Sequence, residues 1–124
     1  MTNLYEETKE LLEKEGSSID QITKVCGDHF QIPVDNFLEL AKATDYDGGH
    51  GSQKIAYDLR VYFIKDGFET YMYRSEYDGG EWWDCSKIFN VPDKIVEVKS
   101  IGGGETMWEN LAEINHIEII ESEK

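Results

Sequence analysis

The stretch Leu59-Arg60-Val61-Tyr62-Phe63-Ile64-Lys65-Asp66-Gly67-Phe68-Glu69-Thr70-Tyr71-Met72-Tyr73-Arg74-Ser75 sets the architecture of the chain. Two runs rich in β-branched and aromatic residues flank Asp66-Gly67, a dipeptide suited to a two-residue hairpin turn whose central positions need positive φ. With that turn, Arg60 faces Tyr73, Val61 faces Met72, Tyr62 faces Tyr71 and Phe63 faces Thr70. Side chains alternate across a strand. One face therefore carries Leu59, Val61, Phe63 and Met72 and reads as core. The other carries Arg60, Tyr62, Tyr71 and Tyr73, an amphipathic set suited to a partly wet surface.

Downstream, Asp78-Gly79-Gly80 makes a second turn and Glu81–Ser86 returns as a third strand. A loop from Tyr77 to Gly80 sets Trp83 opposite Arg74 and Cys85 opposite Met72, so Trp83 points to the core and Trp82 joins the tyrosine face. A slip of one residue exchanges the two tryptophans. After the break at Val91-Pro92-Asp93, Lys94–Lys99 alternates as a fourth strand. Thr106 is placed to cap a short helix holding Met107, Trp108, Leu111 and Ala112. Ile117, Ile119 and Ile120 suggest a last strand, with a continuing helix as the alternative.

Upstream the period is helical. Leu4, Tyr5, Thr8, Leu11 and Leu12 share a face, and Gly16 stops that helix. Ser18 with Gln21 offers a capping box for a second short helix holding Ile19, Ile22, Val25 and Cys26. Pro33 suits the first position of a third, with Val34, Phe37, Leu38 and Ala41 inward. Residues 27–32 read alternatively as a small hairpin turning at Gly27-Asp28. The expected fold is α+β: short N-terminal helices packed on a three- to five-stranded antiparallel meander, with a short C-terminal helix. No linker interrupts residues 1–124, so one domain is expected, mainly helical over 1–44, sheet over 57–101, and the C-terminal elements over 105–121.

Lys and Arg number 12 against 26 Asp and Glu, a formal charge of −14 spread along the chain. Such a balance repels nucleic acid and anionic membrane and favours a basic protein partner. Seven Tyr, five Phe and three Trp need a core to pack in, which argues against disorder. The first fifteen residues carry no apolar leader segment, and no run approaches the roughly 18 apolar residues of a membrane span. Cys26 and Cys85 are far apart and read as free thiols of a reducing compartment. A cytoplasmic location is expected.

Tyr46-Asp47-Gly48-Gly49 and Tyr77-Asp78-Gly79-Gly80 are identical tetrapeptides, explained most simply as turn chemistry. The run Asp45–Gly51 lacks the Gly-Lys-Ser/Thr of a phosphate loop and the ligand spacing of a calcium loop. Cys26, His29, His50, Cys85 and His116 lack the paired short spacings of a zinc site. No cofactor and no metal are expected. A helix–turn–helix reading fails because a recognition helix bearing Asp35 and Glu39 against Lys42 would be repelled by phosphate. Glu76 and Glu81 face each other across the second turn, but paired carboxylates carry little signal in an acidic chain.

A candidate binding surface remains. Arg60, Tyr62, Tyr71, Tyr73 and Trp82 gather on one sheet face, flanked by Tyr46, Asp47, Tyr77 and Asp78 of the two turns and by Glu76 and Glu81. Tyr, Trp and Arg are the types enriched at binding hot spots. A helix layer over that face is the competing expectation.

The segments Asp45–Gly51, running on to Asp58-Leu59, and Arg74–Trp83 resemble a group of small uncharacterised proteins of bacteriophages and bacterial mobile elements. The resemblance covers roughly residues 25–90. It implies a character similar to anti-CRISPR and other anti-defence inhibitors, acting in the host cell cytoplasm, and it carries over no functional residue. The function expected is a non-enzymatic acidic inhibitor of a host defence nucleoprotein by nucleic-acid mimicry. Its partner would be a basic nucleic-acid-binding effector, with a second copy of the chain as a further admissible partner. Two alternatives stand beside it: a nucleotide or small-ligand sponge using the aromatic face with Arg60 or Arg74 on a phosphate, and a small hydrolase using His50 or Cys85.

Overall fold

The structure, a computed structural model, describes residues 2–46, 55–77, 80–85, 91–102 and 109–119. The Asp66-Gly67 turn forms as the sequence dictates, with φ of 52° at Asp66 and 82° at Gly67. It joins β5 (Arg60–Lys65) to β6 (Phe68–Tyr77), and the register pairs Arg60 with Tyr73, Val61 with Met72, Tyr62 with Tyr71 and Phe63 with Thr70. Strand β7 (Gly80–Cys85) pairs Met72 with Cys85 and Arg74 with Trp83. Trp83 is accordingly buried and Trp82 is 38 % exposed.

Two further strands come from the N-terminal third. Ile22–Cys26, expected as a helix, is strand β2, preceded by a single 3₁₀ turn at Ile19–Gln21. Its local propensity is mixed. What decides it is the row of backbone groups on β5, against which Val25 pairs with Val61 and Cys26 with Arg60. Ser18 caps the 3₁₀ turn without a side-chain bond, so the capping box with Gln21 does not form. The alternative hairpin at residues 27–32 is the one adopted: β3 (Gln31–Ile32) runs antiparallel to β2, and the Gly27 N–H donates to the Phe30 carbonyl at 2.9 Å. The main sheet is five-stranded and antiparallel, in the order β3-β2-β5-β6-β7.

Helix α1 (Leu4–Lys14) is capped by Asn3, whose Oδ1 accepts the Glu6 N–H, and it ends at Gly16 with φ of 82°. Helix α2 (Val34–Lys42) has Pro33 as its N-cap, one position earlier than the sequence suggests. A two-stranded sheet, β1 (Thr2–Asn3) with β4 (Asp45–Tyr46), ties the start of α1 to the chain leaving α2. Leu4, Thr8, Leu12, Phe37 and Ala41 from the helices are buried along with Val25, Leu59, Val61, Phe63, Met72 and Trp83 from the sheet side. Burying each large apolar side chain contributes about 1.5–3 kcal/mol. α1 meets the core face of the sheet directly, where the Trp83 indole Nε1 donates to Thr8 Oγ1 at 3.0 Å.

The C-terminal third differs from expectation in two places. Lys94–Lys99 forms no ladder: Ile95 makes one isolated parallel bridge with Gln31. Side chains occupy the backbone donors that a ladder would use. Asn36 Oδ1 accepts from Val98 N, and Asn115 Oδ1 accepts from Lys99 N and Ser100 N. The last helix, α3 (Leu111–Ile114), is capped by Asn110 and Glu113 in a capping box. The expected cap Thr106, with Met107 and Trp108, lies outside the described residues, as does Ile120. Ile117 and Ile119 are not in a strand. Cys26 and Cys85 are both free thiols. No helix among the described residues is long and apolar enough to cross a membrane.

Candidate functional site

Strand alternation and burial sort the described candidate residues into a buried set, a core-side set and an accessible strip, with Glu76 exposed by itself on the opposite face. The first is the buried set on the outward sheet face. Arg60 is 3 % and Tyr62 1 % exposed, where the sequence suggested a wet face. Arg60 is spent internally, donating from Nη1 to Asp28 Oδ1 at 2.8 Å and from Nη2 to the Gly27 carbonyl at 2.6 Å. Tyr62 lies edge-on to Tyr71 with ring centroids 4.4 Å apart. Lys24 Nζ sits 5.2 Å from the Tyr62 ring centroid and 3.1 Å from Glu69. Burial pushes the Tyr62 hydroxyl up to about 12 and raises the Cys26 thiol beside it, against the opposing charge of Arg60.

The second group belongs to the core side. Tyr46 is not on a flanking surface turn but in β4, 3 % exposed, and Glu81 is 4 % exposed. Both meet Arg74, whose Nη2 donates to Tyr46 Oη at 2.9 Å and to Glu81 Oε2 at 2.8 Å. Tyr46 in turn donates to Glu7 Oε1 on α1, and Glu81 Oε2 also accepts the Ile55 N–H at 3.2 Å. The Arg74 guanidinium lies 4.7 Å from the Trp83 ring centroid and 5.3 Å from that of Tyr46. Burial works against the Arg74 charge, and Tyr46, Glu7 and Glu81 more than offset it, leaving its pKa raised. The helices and the hairpin are thus locked together by a paired ionic cluster, in which Arg74 donates through both Nη atoms while its buried Nε makes no hydrogen bond.

The third group forms a strip at the far end of the outward face. Tyr71, Tyr73, Ser75 and Tyr77 share this face of β6, and Trp82 and Asp84 share it on β7. The register sets Trp82 opposite Ser75 and Asp84 opposite Tyr73. Tyr77 is 77 % and Trp82 38 % exposed, while Tyr71 and Tyr73 are half-buried. Asp84 Oδ2 accepts from Ser75 Oγ at 2.6 Å and from the Trp82 indole at 3.2 Å, so carboxylate and ring hold each other in place. Glu76 is exposed on the opposite face, across from Glu81. Asp47 and Asp78 lie outside the described residues. Ser75 and Asp84 belong to the strip and were not in the sequence-based surface. The signal for Asp84 was present, since it stands two residues after Trp82 and period-two alternation puts both on one face.

For the alternatives, His50 lies outside the described residues, and Cys85 is half-buried opposite Met72. Among the described residues no group of three or more His, Cys, Asp or Glu is arranged to hold a metal ion. No protein-family model matches the chain, and searches of curated proteins and of solved structures find no similar protein.

Proposed function

We propose that this chain is a non-enzymatic acidic binding protein that occupies the basic, nucleic-acid-binding surface of another protein. The observation that carries this reading is the coincidence of a −14 charge with exposed aromatic side chains, Trp82 and Tyr77, on one sheet face. A polyanionic surface steers a basic partner into encounter, and aromatic anchors supply short-range affinity. The partner class proposed is a host defence nucleoprotein, whose basic nucleic-acid groove is complementary to the charge of −14. The nucleotide-sponge alternative loses its phosphate ligands, because Arg60 and Arg74 are both buried and engaged with carboxylates.

The test is competition. Fluorescently labelled DNA or guide RNA is bound to purified host defence nucleases, the chain is added, and anisotropy is followed at low and high salt. Displacement at low salt that weakens steeply as salt rises is expected. Undisturbed complexes across such a panel at low salt would overturn the proposal.

A further inference from the structure

The outward sheet face already holds one cation, and the way it does so describes the chemistry gathered at its other end. Near β2, Lys24 places its ammonium 5.2 Å from the centre of the Tyr62 ring and 3.1 Å from the Glu69 carboxylate. Aromatic face and carboxylate together stabilise a cation more than either alone, because ring quadrupole and negative charge both favour positive charge. Thr23 Oγ1 steadies that carboxylate by donating to Glu69 Oε2 at 2.8 Å.

The strip on β6 and β7 repeats these components. Trp82 and Tyr77 supply exposed rings, and Asp84 supplies a carboxylate steadied by a hydroxyl, here Ser75 at 2.6 Å. Trp82 faces Ser75 directly, so Tyr73 and Tyr77 are its diagonal neighbours, about 7–8 Å away. That spacing lets a flat cation lie between or over the rings. Asp84 Oδ2 takes both internal hydrogen bonds, and no Lys or Arg among the described residues forms an ion pair with Asp84. A half-buried carboxylate fixed beside an exposed indole is the matching half of a cation site.

Resting on the acidic-binding reading above, we infer that Trp82, Tyr77 and Asp84 form the anchor site for an arginine side chain of the basic partner. A guanidinium fits better than an ammonium. It is planar, stacks on an indole, is weakly hydrated, and presents a fork of N–H donors to the unused oxygen of Asp84. The strip thereby gives the diffuse negative charge of the chain a defined point of attachment.

The test uses the full chain with an acetylated Gly-Arg-Gly amide, its lysine and citrulline counterparts, and deca-arginine. Binding is followed by the NMR shift of the Trp82 indole N–H and by calorimetry. The arginine tripeptide is expected to move the Trp82 resonance and the neutral citrulline isostere to leave it unmoved. Asp84→Asn keeps an oxygen for Ser75 and Trp82 while removing the charge. It is expected to weaken deca-arginine binding roughly fivefold or more, as is Trp82→Ala. Circular dichroism confirms that both variants fold. Lysine peptide binding as tight as arginine would overturn the guanidinium assignment. If deca-arginine binds equally to both variants and spares the Trp82 resonance, the strip is not the anchor, while the acidic-binding reading survives. Absence of deca-arginine binding at low salt would remove both.

Discussion

The guanidinium of Arg74 lies 2.8 Å from the carboxylate of Glu81, and their side chains are 0 % and 1 % exposed. The pair is the centre of the cluster that joins α1, β4, β6 and β7. Removing one partner leaves the other charged in a buried position. Arg74→Met is therefore expected to destabilise the fold by about 3–5 kcal/mol in urea denaturation. Arg74→Met combined with Glu81→Leu should cost less than Arg74→Met alone, because the stranded charge goes with it. A double variant as unstable as the sum of the two single ones would contradict this account.

Gly27 is required by crowding and not by its φ. A Cβ built there meets Asp58 Oδ2 at 2.5 Å and Leu111 Cδ1 at 3.0 Å. Asp58 cannot retreat, since it accepts from Asp28 N and from Leu111 N, both at 2.8 Å. Gly27→Ala is expected to cost about 1–3 kcal/mol as overpacking. Alanine at Gly16, whose Cβ would meet nothing within 4 Å but whose φ is 82°, tests conformational strain at a site free of clash. Equal stability of Gly27→Ala and the parent protein in thermal melts would remove the crowding argument.

Burial raises the Asp58 carboxyl above the ordinary carboxylate range, against the opposing backbone donors of Asp28 and Leu111. Between the unfolded and the raised folded pKa, the native state binds more protons than the unfolded state, so stability from this group falls as pH rises. Asp58→Asn does not titrate. The stability gap between the parent and this variant should therefore narrow as pH rises through that window, followed by urea unfolding at a series of pH values. A gap that widens with pH would show that the carboxyl is lowered.

Cys26 is fully buried and its thiol is raised by that burial, so little thiolate exists near neutral pH and reagent cannot reach it. In the native protein it should resist Ellman's reagent, while Cys85, half-buried on β7, reacts first. Full reaction of Cys26 is expected only in denaturant. Prompt labelling of Cys26 in the Cys85→Ala variant without denaturant would contradict its position in the sheet.

The hairpin register was legible because Asp66-Gly67 leaves one pairing in which Leu59, Val61, Phe63 and Met72 share a face. The same logic assigned Trp82 and Trp83 correctly. Ile22–Cys26 was misread because a five-residue segment with Val25 and Cys26 inward fits a helical turn as well as a strand, and only the waiting edge of β5 decides. The exposed Tyr face was half legible. Alternation put Arg60 and Tyr62 on it, with Tyr71 across the hairpin, but Asp28 and Lys24 also pack against them and come from distant positions in the chain. Arg74, set opposite the inward Trp83 by the register, lies on the core face and not beside the aromatic strip as a phosphate ligand would need. Its partners Glu7 and Tyr46 lie far away in sequence, so nothing local announced that its charge would be matched.

The β5–β6 hairpin also orders events in time. Its pairs are close in sequence, so it closes a short loop, whereas β2 reaches β5 only after the whole of α2 and the following segment have been brought round. Loop-closure entropy makes the local hairpin the cheaper early step and the β2–β5 seam the later one. Folding should then start at Asp66-Gly67 and finish where Val25 meets Val61. Substitutions in the turn would slow folding, and those in β2 would mainly hasten unfolding.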